Sequence, residues 1–270
     1  MNVLKLLGAN APVAGNETLY QIIDGLGLTT NLKVCLDAGD SASYDPSVQQ
    51  VSWLDTSGNG QDFFRGQSSL TPQSSDPVFN GSAGGLSSNE YWSFDGTKYF
   101  TYDTTNETWM TSLHKDNAVG SFVVMFYNVG SGGSYNHFGT HDVSPGTGVT
   151  FSKNSANQLR WFVRNGSSTV FSFTTTETRT TAGWCFAGMS VNEASNSLLI
   201  KYDTNDISTT CTYSSPSTGS AAITARIASG NGDIDYPNNS RMACFAAWDT
   251  NLTAQNLTDI YDAIKGRFGL

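Results

Sequence analysis

The stretch Val51-Ser-Trp-Leu-Asp-Thr-Ser-Gly-Asn-Gly-Gln-Asp-Phe-Phe64 decides how the rest of the chain is read. An apolar run around Trp53 stops at Asp55 and restarts at Phe63 and Phe64. Gly and Asn reach positive φ at low cost, so two strands meeting at a reversal is the simplest structure for it. Asp55, Ser57, Asn59 and Gly60 also mimic the start of an EF-hand loop. The twelfth position of such a loop falls on Gly66, where a bidentate Glu is needed, so an EF-hand is excluded. The preferred reading is a structural turn in which the Asp55 carboxylate caps backbone N–H groups. The alternative is calcium held by loop oxygens of Asp55, Asn59 and Asp62. No other cofactor is expected.

On both sides of this stretch, short apolar segments recur at the spacing of an antiparallel sandwich. They include residues 32–37, 91–94, 99–102, 121–127, 148–151, 159–163, 169–173, 184–191, 198–202, 208–213, 223–227 and 242–248. The run 121–127 is apolar on both faces, as a central strand is. Arg164-Asn165-Gly166-Ser167 and Asp95-Gly96 read as hairpin turns. Residues 65–90 read as a surface loop. Thr253 is a good N-cap for a closing helix with Leu257, Ile260, Tyr261, Ile264 and Phe268 on one face. A shorter helix is expected to start near Thr18, with Leu19, Ile22 and Ile23 on one face and Gly25 at its end. The division expected is an N-terminal arm, 1–31, that packs on the main domain or on a neighbour, and a sandwich domain, 32–270.

Composition narrows the function classes. Charged residues make up 14% of the 270, and the net charge is −9. The 14 Lys and Arg form no cluster in sequence, which disfavours nucleic acid and anionic membrane surfaces as partners. No apolar run approaches the roughly 20 residues of a membrane span, and the first ten residues make a poor secretory signal. Cys35, Cys185, Cys211 and Cys244 share no Cys-x-x-Cys spacing. Free buried thiols are the preferred reading, with one or two disulfides as the alternative.

Three features then align in order. Leu36-Asp37-Ala38-Gly39-Asp40 leads to Trp53-Leu54-Asp55-Thr56-Ser57-Gly58-Asn59-Gly60. Tyr91-Trp92-Ser93-Phe94-Asp95-Gly96 precedes Tyr99-Phe100. Phe245 to Asp249 leads into Asn251-Leu252-Thr253 and the closing helix. Together they resemble the concanavalin A-like, laminin-G-like jelly roll over roughly residues 32 to 268. The resemblance implies an all-β fold of two packed antiparallel sheets with a short N-terminal arm and a C-terminal amphipathic helix. It implies no activity, because the fold hosts lectins, glycosidases, lyases, adhesion modules and virion proteins. Bacteriophage structural proteins often carry modules of this low-charge kind.

Candidate sites follow from side-chain chemistry. The Glu-x-Asp-x-(x)-Glu pattern of this fold's glycosidases is missing, and the five Glu residues lie far apart in sequence. Asp233 and Asp235 could pair as carboxylates but read as part of a solvated loop. His137 and His141 are too far apart on a strand to share one ion, and read as a partly exposed strand-end pair. Trp161 beside Arg160, and Tyr236 beside Asp235, offer platforms on which a sugar could stack, although most Trp in a sandwich are core. The leading expectation is therefore a non-enzymatic, phage-like virion protein, made in the host cytoplasm and displayed as capsid decoration, fibre or tail. Its partners would be other virion proteins, copies of itself and cell-surface glycans. A carbohydrate-binding adhesin module is the alternative, and a glycosidase or lyase the third reading.

Overall fold

The computed structural model describes residues 17–48, 51–67, 72–130, 133–142, 145–230 and 236–270. These form two antiparallel sheets packed face to face, with helices on one outer side. Strands are numbered β1 to β16 in chain order. The first sheet runs β14 (Asn205–Thr209), β13 (Ser197–Tyr202), β12 (Gly183–Asn192), β7 (Val119–Asn128), β16 (Arg241–Trp248), β5 (Tyr91–Ser93) and β4 (Val78–Asn80). β1 (Leu32–Asp37) shares the β16 edge with β5. The second sheet runs β11 (Ser168–Thr174), β10 (Leu159–Asn165), β9 (Gly148–Lys153), β8 (Tyr135–Gly139), β15 (Arg226–Ile227), β6 (Phe100–Tyr102), β3 (Phe63–Arg65) and β2 (Ser52–Trp53).

The unbroken apolar run of β7 has a direct cause. Phe122, Val124 and Phe126 enter the core between the sheets, whereas Val123 and Met125 enter a second core under the helices. Alternate side chains point to opposite faces, so a strand covered on both sides cannot afford a polar alternation. Ser121 is the polar exception within the run. Its Oγ donates to Thr250 O and accepts from Leu252 N, both at 2.8 Å, and so fixes the entry to the last helix.

That helix, α3 (Ala254–Ile264), starts at Thr253 with a reciprocal cap made with Asn256. It buries Leu257, Ile260, Tyr261 and Ile264 against the first sheet. α1 (Leu19–Gly25) is capped by Thr18 and Gln21 in the same way and buries Leu19, Ile22 and Ile23 in the same layer. Residues 17–31 are therefore seated on the chain's own sandwich, and Trp248 Nε1 donates to Leu28 O at 2.7 Å to hold the connection. The remainder of the expected arm, 1–16, lies outside the described residues, as do Asp233 and Asp235.

Several expectations are corrected. Asp95-Gly96 is not a hairpin turn. It carries the chain from β5 in one sheet to β6 in the other, and Phe94 and Phe100 on either side both enter the inter-sheet core. The loop expected at 65–90 contains β4, which pairs with β5. β8 and the short helix α2 (Thr108–Ser112) were not expected from periodicity. β8 is buried along its whole length, so it offers no alternation to read. The four cysteines are free and buried, as the preferred reading of the sequence has it.

Candidate functional site

The two outer faces of the sandwich differ. α1 and α3 cover much of the outer face of the first sheet. The outer face of the second sheet carries a row of directly paired residues, one from each strand. It runs Ser52, Phe64, Thr101, Arg226, Gly139, Thr150, Phe162, Ser172. Paired residues share a face, and eight strands at about 4.8 Å spacing make a strip of about 34 Å. Their neighbours along each strand, such as Phe63, Phe100, Ile227, Phe138, Trp161 and Val163, fill the inter-sheet core.

The middle of this strip is covered by the chain itself. Asn136 Nδ2 donates to Gly230 O at 2.7 Å, which draws residues 229–230 across β8. A Cβ at Gly139 would stand 3.2 Å from both Gly230 Cα and Ser229 O, so the crossing is close-fitted to a glycine there. Among the described residues, an open groove lies on one side of the crossing, and on the other side Arg160 and Arg164 lie over a buried Phe162.

The groove, of about 890 Å³, lies over β3 and β6. Phe64 and Thr101 belong to its lining, with Gln67, Asp103, Thr104 and the segment 220–224 as its walls. Asn106 ties the walls together, donating to Ile223 O at 2.8 Å and accepting from Ala225 N at 2.7 Å. Beneath this lining, Thr101 Oγ1 and Asp103 Oδ1 are buried without a hydrogen-bond partner. Burial, then the charge of Asp62, raises the Asp103 pKa. A second groove of about 740 Å³ adjoins it through Gln67 and is lined by Gln73, Ser74, Ser75, Thr97 and Tyr99. Half-buried Phe64 among hydroxyl, amide and carboxylate groups makes an amphipathic floor, suited to a ligand with one apolar face and many hydroxyls.

The other side of the crossing lies over β9 and β10. Arg160 and Arg164 flank Phe162, their guanidinium carbons 4.0 and 5.8 Å from the ring centroid. His141 meets the same ring edge-on, with centroids 5.8 Å apart.

Of the sugar platforms expected from sequence, only Arg160 is on an accessible face. Trp161 is fully buried, and its Nε1 donates to Tyr213 Oη at 3.1 Å inside the core. The side-chain alternation of β10 puts Phe162, not Trp161, outside. Tyr236 is also fully buried, packed on Phe94 and Tyr135 and bonded through its hydroxyl to His137 Nδ1. Neither ring can stack on a ligand. His137 and His141, expected at the surface, are both buried. Phe64, Thr101 and Asp103 were missed. The only sequence signal for them was the alternation of Phe63 with Phe64 and of Phe100 with Thr101.

The Asp55 turn is a fixed structural unit. Oδ1 accepts from Cys35 N (2.8 Å) and Ser57 N (2.9 Å), and Oδ2 from Ser57 Oγ (2.6 Å) and Gln61 N (3.1 Å). Asp62 Oδ1 accepts from Asp55 N at 2.7 Å, and Asn59 Nδ2 donates to Leu32 O at 2.8 Å. Both Asp55 carboxylate oxygens and Asp62 Oδ1 are thus engaged by N–H and O–H donors, because the turn uses them to tie β2 and β3 to β1. Among the described residues, no three His, Cys, Asp or Glu side chains converge as a metal site would need.

No family model and no curated protein matches the sequence. Solved structures share the fold. The chain is similar to the receptor-binding domain of a botulinum neurotoxin C/D mosaic serotype, with TM-score 0.57 and 10% identity over 87% of this chain and 51% of that one. It is similar to the binding domain of botulinum neurotoxin DC in complex with SialylT, with TM-score 0.54 and 13% identity over 87% and 52%. A third structure, of botulinum neurotoxin type C, is described by its cell entry being dependent upon interaction with two ganglioside molecules. It matches with TM-score 0.54 and 13% identity over 88% and 52%. The chain spans about half the length of each. At these identities the likeness is one of fold, a two-sheet β-sandwich.

Proposed function

We propose that the chain is a carbohydrate-binding module that engages glycans on the outer face of the second sheet and performs no chemistry on them. The observation that carries this reading is the groove over β3 and β6. It combines the half-buried ring of Phe64 with Thr101 and Asp103, each of which keeps one buried oxygen without a partner. A pyranose offers an apolar C–H face to such a ring and hydroxyl groups to the polar side chains around it, such as Gln67, Asp103 and Thr104. The fold likeness to toxin domains described with SialylT and with gangliosides supports the same reading. The face is wide and shallow, which suits a surface glycan better than an enclosed small molecule.

A broad glycan array followed by calorimetry tests it. Wild type is expected to bind at least one glycan class. Phe64→Ala and Asp103→Asn are each expected to lose about tenfold or more in affinity, the loss of one stacked ring or one charge-assisted hydrogen bond. An array without signal, or binding untouched by both substitutions, overturns the reading. The phage-virion setting remains our proposal for where such a module is displayed. Mass spectrometry of purified particles from a producing culture checks it, and absence of the chain from the particles rejects it.

A further inference from the structure

We propose that Arg160, stacked on Phe162 beside Arg164 and His141, anchors a second subsite on this face that takes the carboxylate or sulfate group of an acidic sugar. For the nature of the ligand the inference rests on the glycan-binding reading. For the anion it rests on the geometry of these four residues.

The chain carries net charge −9 and seven arginines, yet Arg160, Arg164 and Arg226 all lie on the outer face of the second sheet. Arg160 is the one best placed to meet a ligand. Its Nε and Nη2 both donate to Ser172 Oγ, at 3.2 Å each, and the ring of Phe162 supports the plane of the guanidinium. The fork is thereby held in one orientation with N–H groups to spare. Among the described residues Arg160 forms no salt bridge, and the charge that acts on it is the like charge of Arg164. Asp142, the carboxylate beside this group, acts on His141.

His141 supplies an independent observation. It is fully buried against Phe162, and neither ring nitrogen has a hydrogen-bond partner. A neutral imidazole keeps one N–H donor, so this buried group has a donor to give. Arg160, with N–H groups to spare, and an unpartnered imidazole around one aromatic ring make a site suited to an acceptor-rich anion. A carboxylate or sulfate on a sugar meets that need, and the guanidinium fork matches either group with two parallel hydrogen bonds.

Two measurements on the intact chain test this. In the first, inorganic sulfate is titrated while the arginine Nε–H and backbone amide resonances are followed by NMR. Saturable shifts at Arg160, Phe162 and Ser172 are expected in wild type. In Arg160→Gln the shifts at Phe162 and Ser172 should vanish while the rest of the amide spectrum stays native. In the second, calorimetry compares oligogalacturonate, sulfated dextran oligomers and neutral dextran oligomers. At least one acidic probe is expected to bind about tenfold or more tightly than the neutral one, and Arg160→Gln is expected to remove that preference. Which acidic probe prevails tells carboxylate from sulfate. Sulfate shifts at Arg160 with no glycan bound by any probe or array would leave the anion site standing and remove the glycan-binding reading. Glycan binding with no acidic preference and no sulfate shift would overturn the inference and leave that reading intact.

Discussion

Asp37 and Arg267, 230 residues apart, form a two-point ion pair inside the protein, with Nη1 donating to Oδ2 and Nη2 to Oδ1, both at 2.8 Å. The same carboxylate accepts from Leu19 N at the start of α1 and from Gly39 N after β1, each at 2.8 Å. One buried charge therefore joins the first helix, the first strand and the last turn of the chain. Burial by itself would raise the Asp37 pKa. Arg267 and the backbone donors outweigh it and hold the carboxyl below its ordinary value.

Breaking this pair from one side is expected to be costly. Arg267→Met leaves a buried carboxylate without its partner, and about 3–5 kcal/mol of stability should go. Urea denaturation at neutral pH measures it. Asp37→Asn combined with Arg267→Met should cost less than the two single changes added together, because the double variant strands no charge. Strict additivity would show that the pair is not coupled.

The Asp55 turn leads to a second expectation. Asp55→Ala removes the acceptor for Cys35 N, Ser57 N, Ser57 Oγ and Gln61 N at once. The loss should be about 3 kcal/mol, seen as a lower melting temperature. Millimolar calcium should leave the wild-type melting temperature unchanged, since these oxygens already have donors. A calcium-dependent rise abolished in Asp55→Ala would reinstate the ion.

Stability should fall steeply in acid. Burial first, then the charge of Lys153, lowers the His137 pKa to about 3. Burial, then Arg164, lowers that of His141 to about 4. The unfolded chain takes up both protons near the ordinary histidine value of about 6.5, whereas the folded chain refuses them until about 4 and 3. The folded state is thus favoured above pH 6.5 and loses ground as the pH falls from there towards 4. With both histidines contributing, the slope is up to about 2.7 kcal/mol per pH unit. Denaturation curves at pH 7, 6, 5 and 4 measure it, and His137→Asn should flatten the dependence. A flat profile for wild type would mean that the histidines are reached by water.

The thiols should be silent in the folded protein. Burial pushes Cys185 and Cys211 up to about 12 and raises Cys35 and Cys244 as well, so almost no thiolate exists at neutral pH. Ellman's reagent is expected to modify none of the four before unfolding and all four in guanidinium. Reductant should leave the melting temperature unchanged. Rapid modification of any thiol in the native state would contradict its burial.

The amino-acid sequence by itself determined the all-β class, the two strands around the Asp55 turn, the Arg164 to Ser167 hairpin, and both capped helices. Each of these is a local preference. Gly and Asn permit the reversals, Thr18 and Thr253 cap backbone donors, and apolar spacing separates strand from helix. What only the tertiary structure decided is which side of a strand meets water and which strands share a sheet. Trp161 and Phe162 are adjacent and both aromatic, so their sequence is silent on which one points outward. The packing of the second sheet on the first puts Trp161 inside and leaves Phe162 to carry Arg160. Likewise, Phe64, Thr101, Arg226 and Phe162 come from four separated segments. They become one face because strand pairing is set by long-range burial, which no short stretch of chain encodes.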